Sequence, residues 1–319
     1  MDKNKSQLNI NSLGIIVNPA AGVGGEFIEG VASRAISKFR DCHVIRPHIG
    51  EGRETTMAAV RAIAFSVDAI LVVGGDGTMS DVAYSLFKAG ASTPILGIGA
   101  GSTNAGSLIT VSGEELDKLD PFAFAVHEVG GILAFVNGKQ IGIGFNDVVL
   151  GDTVLTTLEG QVVQVSAAEF IKGKKTLSPP SKVGTTWSEV HIECRGESPK
   201  PVHRGVFGQF FAAPLEERYL GKGLAGGTSL ASALGLPAGI AITSEPLINF
   251  SIGVEELLFL EPIVTKTASL REEDTAVVTG LHEGTCLNVD GNPLVLIGID
   301  EEIRIHYVSA AARVLKATH

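Results

Sequence analysis

The sequence predicts an α/β protein in two parts, a parallel-sheet domain over residues 1–125 and a β-rich domain over residues 126–319. Three observations predict it. In the first third of the chain, short β-branched runs alternate with segments of helical periodicity. After about residue 125 the helical periods give way to shorter alternating segments with turn signals. Charged residues make up 19 % of the chain against 45 % hydrophobic and 39 glycines, a balance that suits buried strands joined by many tight turns.

The strands of the first part are "LGIIV" (13–17), "HVIR" (43–46), "AILVV" (69–73) and "PILGI" (94–98), each bounded by turn residues. Between them Phe27, Ile28, Val31, Ala32, Ala35, Ile36 and Phe39 recur at helical spacing, as do Met79, Val82, Ala83, Leu86 and Phe87. Strands joined by helices of this length lie parallel, because the helix is the crossover. In the second part Asn137-Gly138 between two apolar runs signals a hairpin. "KGKKTLSPPSK" (172–182) reads as a polar loop, and "WSEVHIEC", "GVFGQFFAA", "TCLNVDG" and "LVLIGI" read as strands. Trp187 and "GQFFAAP" (208–214) are expected in the core of this domain. The last segment of the chain is free to pack back on the first domain.

Composition narrows the partners. A net charge of −10 with no basic block argues against a grip on nucleic acid or on an anionic membrane. Cys42, Cys194 and Cys286 stand far apart, which disfavours disulfides and a zinc site and reads as three small buried hydrophobes in a reducing compartment. "MDKNKSQLNINS" lacks the apolar centre of a signal peptide, and the uncharged stretch 223–244 carries five glycines and Pro237. A cytoplasmic protein is expected. The eight histidines show no paired metal-binding spacing.

Chemistry concentrates where the predicted strands end. In an open parallel sheet, ligands settle outside the carboxyl ends of the strands, and three of the four strands end there in glycine-rich turns. These are "VNPAAGVGG" (17–25), "VVGGDGT" (72–78) and "GIGAGSTNAGS" (97–107). Glycine lets backbone N–H groups approach phosphate oxygens, so the cluster points to a polyphosphate ligand. There is no GxxxxGK[ST], which removes the P-loop, and no GxGxxG with a suitably placed acid, which weakens a plain dinucleotide-binding dehydrogenase. Asp76 stands out within "GGDGT". It can serve as a helix N-cap, but Thr78 or Ser80 can do that as well. A carboxylate beside phosphate is otherwise unwelcome, and a base for phosphoryl transfer to a hydroxyl needs one. Arg53, in "EGRET" (51–55), reads as an exposed loop arginine.

"GGDGT" followed by a helix resembles the signature shared by NAD kinases and the diacylglycerol and sphingosine lipid kinases, one superfamily with a Rossmann-like amino-terminal domain and a β-rich carboxy-terminal one. "NPAAG" (18–22) resembles its nucleotide-side turn, with Asn18 and Gly22 the matching positions. "GAGSTNAGS" resembles its second glycine-rich turn. The resemblance implies ATP held by Asn18, Gly22, Gly74, Gly75, Gly77, Thr78, Gly101, Ser102, Thr103 and Asn104, with Mg²⁺ neutralising the phosphates and Asp76 catalytic. "FNDVV" (145–149) resembles the Asn-Glu/Asp motif that binds the dinucleotide in NAD kinases, and "NVDGNP" (288–293) resembles a late Asp-Gly motif. Asn146, Asp147, Asp290 and Gly291 inherit substrate-binding roles. The "TGSTAY" segment of NAD kinases has only a loose echo in "AGGTSLASAL" (225–234). With "GAGSTN", this altered middle is most similar to NAD-kinase-like proteins associated with acetoin catabolism.

The resemblance implies an ATP-dependent phosphotransferase acting on an alcohol, the 2′-hydroxyl of the adenosine ribose of NAD being the first acceptor. A lipid alcohol is the second, although "GAGSTNAG" lacks the Asp that lipid kinases place after the Asn. A nucleotide-binding regulator without turnover is the third possibility. A homo-oligomer with no nucleic-acid or membrane partner is expected.

Overall fold

The structure, a computed structural model, describes residues 10–18, 25–39, 41–45, 52–100, 106–112, 116, 123–158, 161–215, 235–253, 255 and 262–317. The chain divides into two compact units, Met1–Gly130 with Ala310–His319, and Gly131–Ser309.

The first unit opens with β1 (Ser12–Val17), α1 (Gly25–Lys38), β2 (Asp41–Ile45), α2 (Gly52–Ile63), β3 (Ala69–Gly74), α3 (Asp76–Ala89), β4 (Ile95–Gly99) and β5 (Ile109–Ser112). The strands lie parallel in the order β4-β3-β1-β2, with β5 along the far edge of β4 from Gly97 onward. All six residues of β3 are buried, which is why it reads as an unbroken apolar run rather than an alternation. Helices cover both faces. Leu13, Ile15, Val17, Leu71 and Val73 share a core with Ile28, Val31, Ala32 and Ala35 of α1. On the opposite face Gly14 leaves room for Ile63 of α2, whose methyl would lie 2.5 Å from a Cβ there. α2 packs against α3, and α3 against β3 and β4.

The chain enters the second unit within β6 (Phe124–Val136). There follow β7 (Lys139–Gly144), β8 (Val148–Gly151), β9 (Thr153–Leu158), β10 (Gln161–Ser166), the short α4 (Ala167–Ile171), β11 (Gly184–Glu193), β12 (Lys200–Arg204) and β13 (Gln209–Pro214). Then come β14 (Ala238–Thr243), β15 (Thr265–Leu270), β16 (Thr275–Leu281), β17 (Cys286–Val289), β18 (Asn292–Leu296) and β19 (Ile303–Ala317). One antiparallel sheet runs β15-β14-β13-β8-β17-β18; β12, β11, β16 and the first half of β19 form another. Leu150, Phe210, Ile240 and Leu287 of the first meet Val190, Val278 and Ile305 of the second in a single core. The last ten residues belong to the first unit, where Val314 of β19 pairs with Ile95 at the start of β4.

Asn137-Gly138 is the hairpin turn between β6 and β7, with φ of 48° and 76°. Cys194 and Cys286 are buried and Cys42 is half-buried, none of the three in a disulfide. Two expectations need correction. Trp187 does not fill the core: it is 73 % exposed, whereas Phe210 and Phe211 of the same expectation are buried. Val190 and Ile192 face inward on β11, so an odd step back along the strand puts Trp187 on the other face. Arg53 lies not on an exposed loop but in the first turn of α2, half-buried against α3. Among the described residues no helix is long and apolar enough to cross a membrane.

Candidate functional site

Described residues that follow three of the strands bond to one another at the carboxyl edge of the parallel sheet. Asn18, just after β1, donates its backbone N–H to the Val73 carbonyl of β3 (3.0 Å) and its side-chain Nδ2 to Thr78 Oγ1 (2.8 Å). Gly74 at the end of β3 accepts the N–H of Ala100, just after β4, at 2.9 Å. The first and second "GGDGT" glycines end the strand and cap the helix. Gly75 is the N-cap of α3, in extended conformation, and its carbonyl accepts the Met79 N–H at 3.1 Å. Neither Thr78 nor Ser80 is the cap; both lie inside α3, and Thr78 turns its hydroxyl to Asn18 instead. A Cβ at Gly74 would come within 2.9 Å of the Thr78 Cβ, so this turn tolerates no side chain at its first glycine.

Asp76 is the first residue of α3, where an acidic side chain complements the helix dipole. Its carboxylate reaches beyond its own helix. Oδ1 accepts the backbone N–H of Gly106 at 2.8 Å, thirty residues along the chain. A Cβ on Gly106 would lie 2.6 Å from that same oxygen, so the approach needs glycine. Gly106 belongs to the third glycine-rich turn, but nothing in its sequence marks it apart from its neighbours. Gly22, Gly101, Ser102, Thr103 and Asn104 lie outside the described residues.

The helix that carries Asp76 is anchored one turn further in. Asp81 is buried and pairs with Arg53 Nε at 2.6 Å, and the same guanidinium lies 5.1 Å from the Tyr84 ring centroid. Burial pushes the Asp81 carboxyl up to about 6, against the pull of Arg53.

In the second unit the two remaining motifs come together. Asp290-Gly291 is the turn of the β17–β18 hairpin, with φ of 47° and 80°. The Asp290 carboxylate accepts three successive backbone N–H groups: Phe145 on Oδ2 at 2.9 Å, and Asn146 and Asp147 on Oδ1 at 2.7 and 2.9 Å. The Asp290 N–H returns a bond to the Asp147 carbonyl at 3.0 Å. Burial, then the nearby charge of Asp147, push the Asp290 carboxyl up to about 7, while the three N–H donors act the other way. Asn146 and Asp147 are only partly buried.

Among the described residues no three His, Cys, Asp or Glu side chains cluster as a metal site. A magnesium ion carried in on nucleotide phosphates keeps most of its ligands as phosphate oxygens and water and needs no such cluster.

Residues 12–121 match the model of the diacylglycerol kinase catalytic domain. A protein of Archaeoglobus fulgidus described only as uncharacterized is 34 % identical over 298 residues, which span 88 % of this chain and 91 % of that one. The chain belongs to the NAD kinase and diacylglycerol kinase superfamily. Solved structures of this superfamily share its fold. A diacylglycerol kinase from Bacillus anthracis superposes with a TM-score of 0.51 at 14 % identity, covering 96 % of this chain and 97 % of its own. Yeast NADH kinase complexed with NADH gives 0.54 at 13 %, covering 98 % and 84 %. The family match takes in Asn18, Asp76 and the three glycine-rich stretches; Asn146, Asp147 and Asp290 lie beyond it.

Proposed function

We propose that this superfamily member is an ATP-dependent kinase whose acceptor is the 2′-hydroxyl of the adenosine ribose of NAD, giving NADP. The observation that carries the proposal is the Asp76 carboxylate, fixed by the Gly106 N–H at the amino end of α3. Asp76 takes the proton from the acceptor hydroxyl as that oxygen bonds to the γ-phosphorus and the bond to the ADP oxygen breaks. The glycine turns hold the phosphates through backbone N–H groups, and Asn18 through its side-chain amide. Mg²⁺ supplies charge neutralisation on the phosphates. Asn146 and Asp147 hold the dinucleotide. The likeness to a kinase of NADH supports a dinucleotide acceptor.

A lipid alcohol is the alternative acceptor, favoured by the match of residues 12–121 to the diacylglycerol kinase catalytic domain. One experiment separates the two. Purified protein is incubated with Mg-ATP and either NAD or dispersed diacylglycerol, with Asp76→Asn in parallel, and NADP and phosphatidic acid are measured. NADP from wild type and not from the variant is the expected result. Phosphatidic acid without NADP transfers the proposal to the lipid. Tight ATP binding without either product leaves a nucleotide-binding regulator.

A further inference from the structure

We infer that Asp290 is a positioning residue for the acceptor: its carboxylate sets the backbone of residues 145–147, and through it the aim of Asn146 and Asp147, rather than touching the acceptor itself. The inference rests on the proposed function for what Asn146 and Asp147 hold, and on geometry for everything else.

A carboxylate has two oxygens and about four lone-pair sites. In Asp290 three of these are filled by consecutive main-chain donors within 2.9 Å, and the residue is 8 % exposed. So saturated and so buried, it is poorly placed to bind a ligand and well placed to fix a loop. Three adjacent N–H groups converge on one side chain only if the backbone curls around it, so that side chain selects one loop conformation. Two further features close the alternatives. The Asp290 N–H holds the Asp147 carbonyl, and a Cβ on Gly144 would lie 2.5 Å from that carbonyl oxygen, so the loop folds back tightly on the strand that leads into it. The carboxylate is delivered by the positive-φ pair Asp290-Gly291, a two-residue turn matched to the twist of its hairpin. "FND" and "DG", 145 residues apart in sequence, are thus a single device: a clamp and the loop it holds.

Hydrogen exchange reads the clamp without any ligand. In the wild-type protein the amides of Phe145, Asn146 and Asp147 should exchange as slowly as those of β8, although they lie in a loop. In Asp290→Asn one acceptor oxygen becomes an NH₂ that faces N–H donors, and exchange at these three amides should quicken by roughly tenfold or more. Unprotected amides in wild type, or unchanged exchange in a folded variant, overturn the inference whatever the kinase assay returns. Steady-state kinetics read the consequence. In Asp290→Asn the KM for the acceptor should rise by roughly 10- to 100-fold with the KM for ATP within about twofold. Equal losses in both, or an unmoved acceptor KM in an active variant, reject the link to the acceptor. Failure of the proposed function is seen separately, as wild type that makes no NADP.

Discussion

Asp76 and Asp290 are both carboxylates held by backbone N–H groups, and their settings differ in every other respect. Asp76 begins a helix at the edge of a parallel sheet, is partly exposed, and takes the N–H of Gly106 from another turn. Asp290 sits in a hairpin turn, is buried, and takes three consecutive N–H groups from one loop. A group that must exchange a proton needs access to the reacting atoms; a group that must hold a loop needs saturation. On the proposed reading the same residue type serves chemistry in one unit and geometry in the other, and the sequence pattern Asp-Gly does not distinguish them.

The largest effect is expected where a carboxylate's charge is removed from the Asp76 site. Asp76→Asn keeps shape and helix start but cannot accept a proton. Turnover should fall by about 10² to 10⁴, with thermal stability and ATP binding nearly unchanged. If Asp76→Asn instead lost stability and retained turnover, the assignment of roles to the two residues would be reversed. A smaller effect is expected one step removed. Gly106→Ala forces a methyl to within 2.6 Å of Asp76 Oδ1, so the carboxylate or the turn must move. Displacements of this size cost catalysis up to about 10²-fold, and the loss should be in kcat, measured at saturating ATP and acceptor.

Much of this was legible in the sequence because it depends on local period. β1, β3 and β4 end within about a residue of the apolar runs that announce them, and Ile28, Val31, Ala32 and Ala35 sit at the helical spacing that buries them on α1. α2 was harder: "EGRET" looks like a loop because glycine, charge and adjacent β-branched threonines weaken helix propensity. Burial of Met57 and Val60 and the Arg53–Asp81 pair, both tertiary, hold it. For the site, "GGDGT" could be read as a strand end and a helix start, but the partner of Asp76 could not. A bond between residues 76 and 106 depends on how two turns lie across neighbouring strands, which no window of sequence contains. The bonds between Asp290 and residues 145–147 span half the chain and were invisible for the same reason. The exposure of Trp187 is legible in the sequence, since Val190 and Ile192 in "WSEVHIE" fix which face of the strand is outward.

Stability should also depend on pH through Asp290. The Asp290 carboxyl is raised from 3.8 to about 7 in the folded protein. The native state therefore holds this proton more tightly than the unfolded chain. Its contribution to stability is full below about 4 and is lost as pH rises toward 7, a change of a few kcal/mol at most. Urea unfolding at pH 5 and pH 8 should show wild type losing more stability on the alkaline side than Asp290→Asn. Asp81, raised to about 6 by burial, has the same sign and remains in the variant, so the slope should shrink without vanishing. An equal slope in the variant would mean that the three N–H donors outweigh burial and keep Asp290 ionised throughout.

The smallest expected effect belongs to the surface of the β-rich unit. Trp187 is the chain's single tryptophan and is 73 % exposed on the outer face of β11, where its backbone N–H bonds to Thr185 Oγ1 at 3.3 Å. Replacing it with Phe keeps that backbone bond and leaves the inward residues Val190 and Ile192 untouched, so stability should move by less than about 0.5 kcal/mol. Its fluorescence should be that of a solvated indole and be readily quenched by acrylamide. A blue-shifted, protected emission would show that this face is covered in solution. A loss above 1 kcal/mol in the Phe variant would show that the ring packs against something.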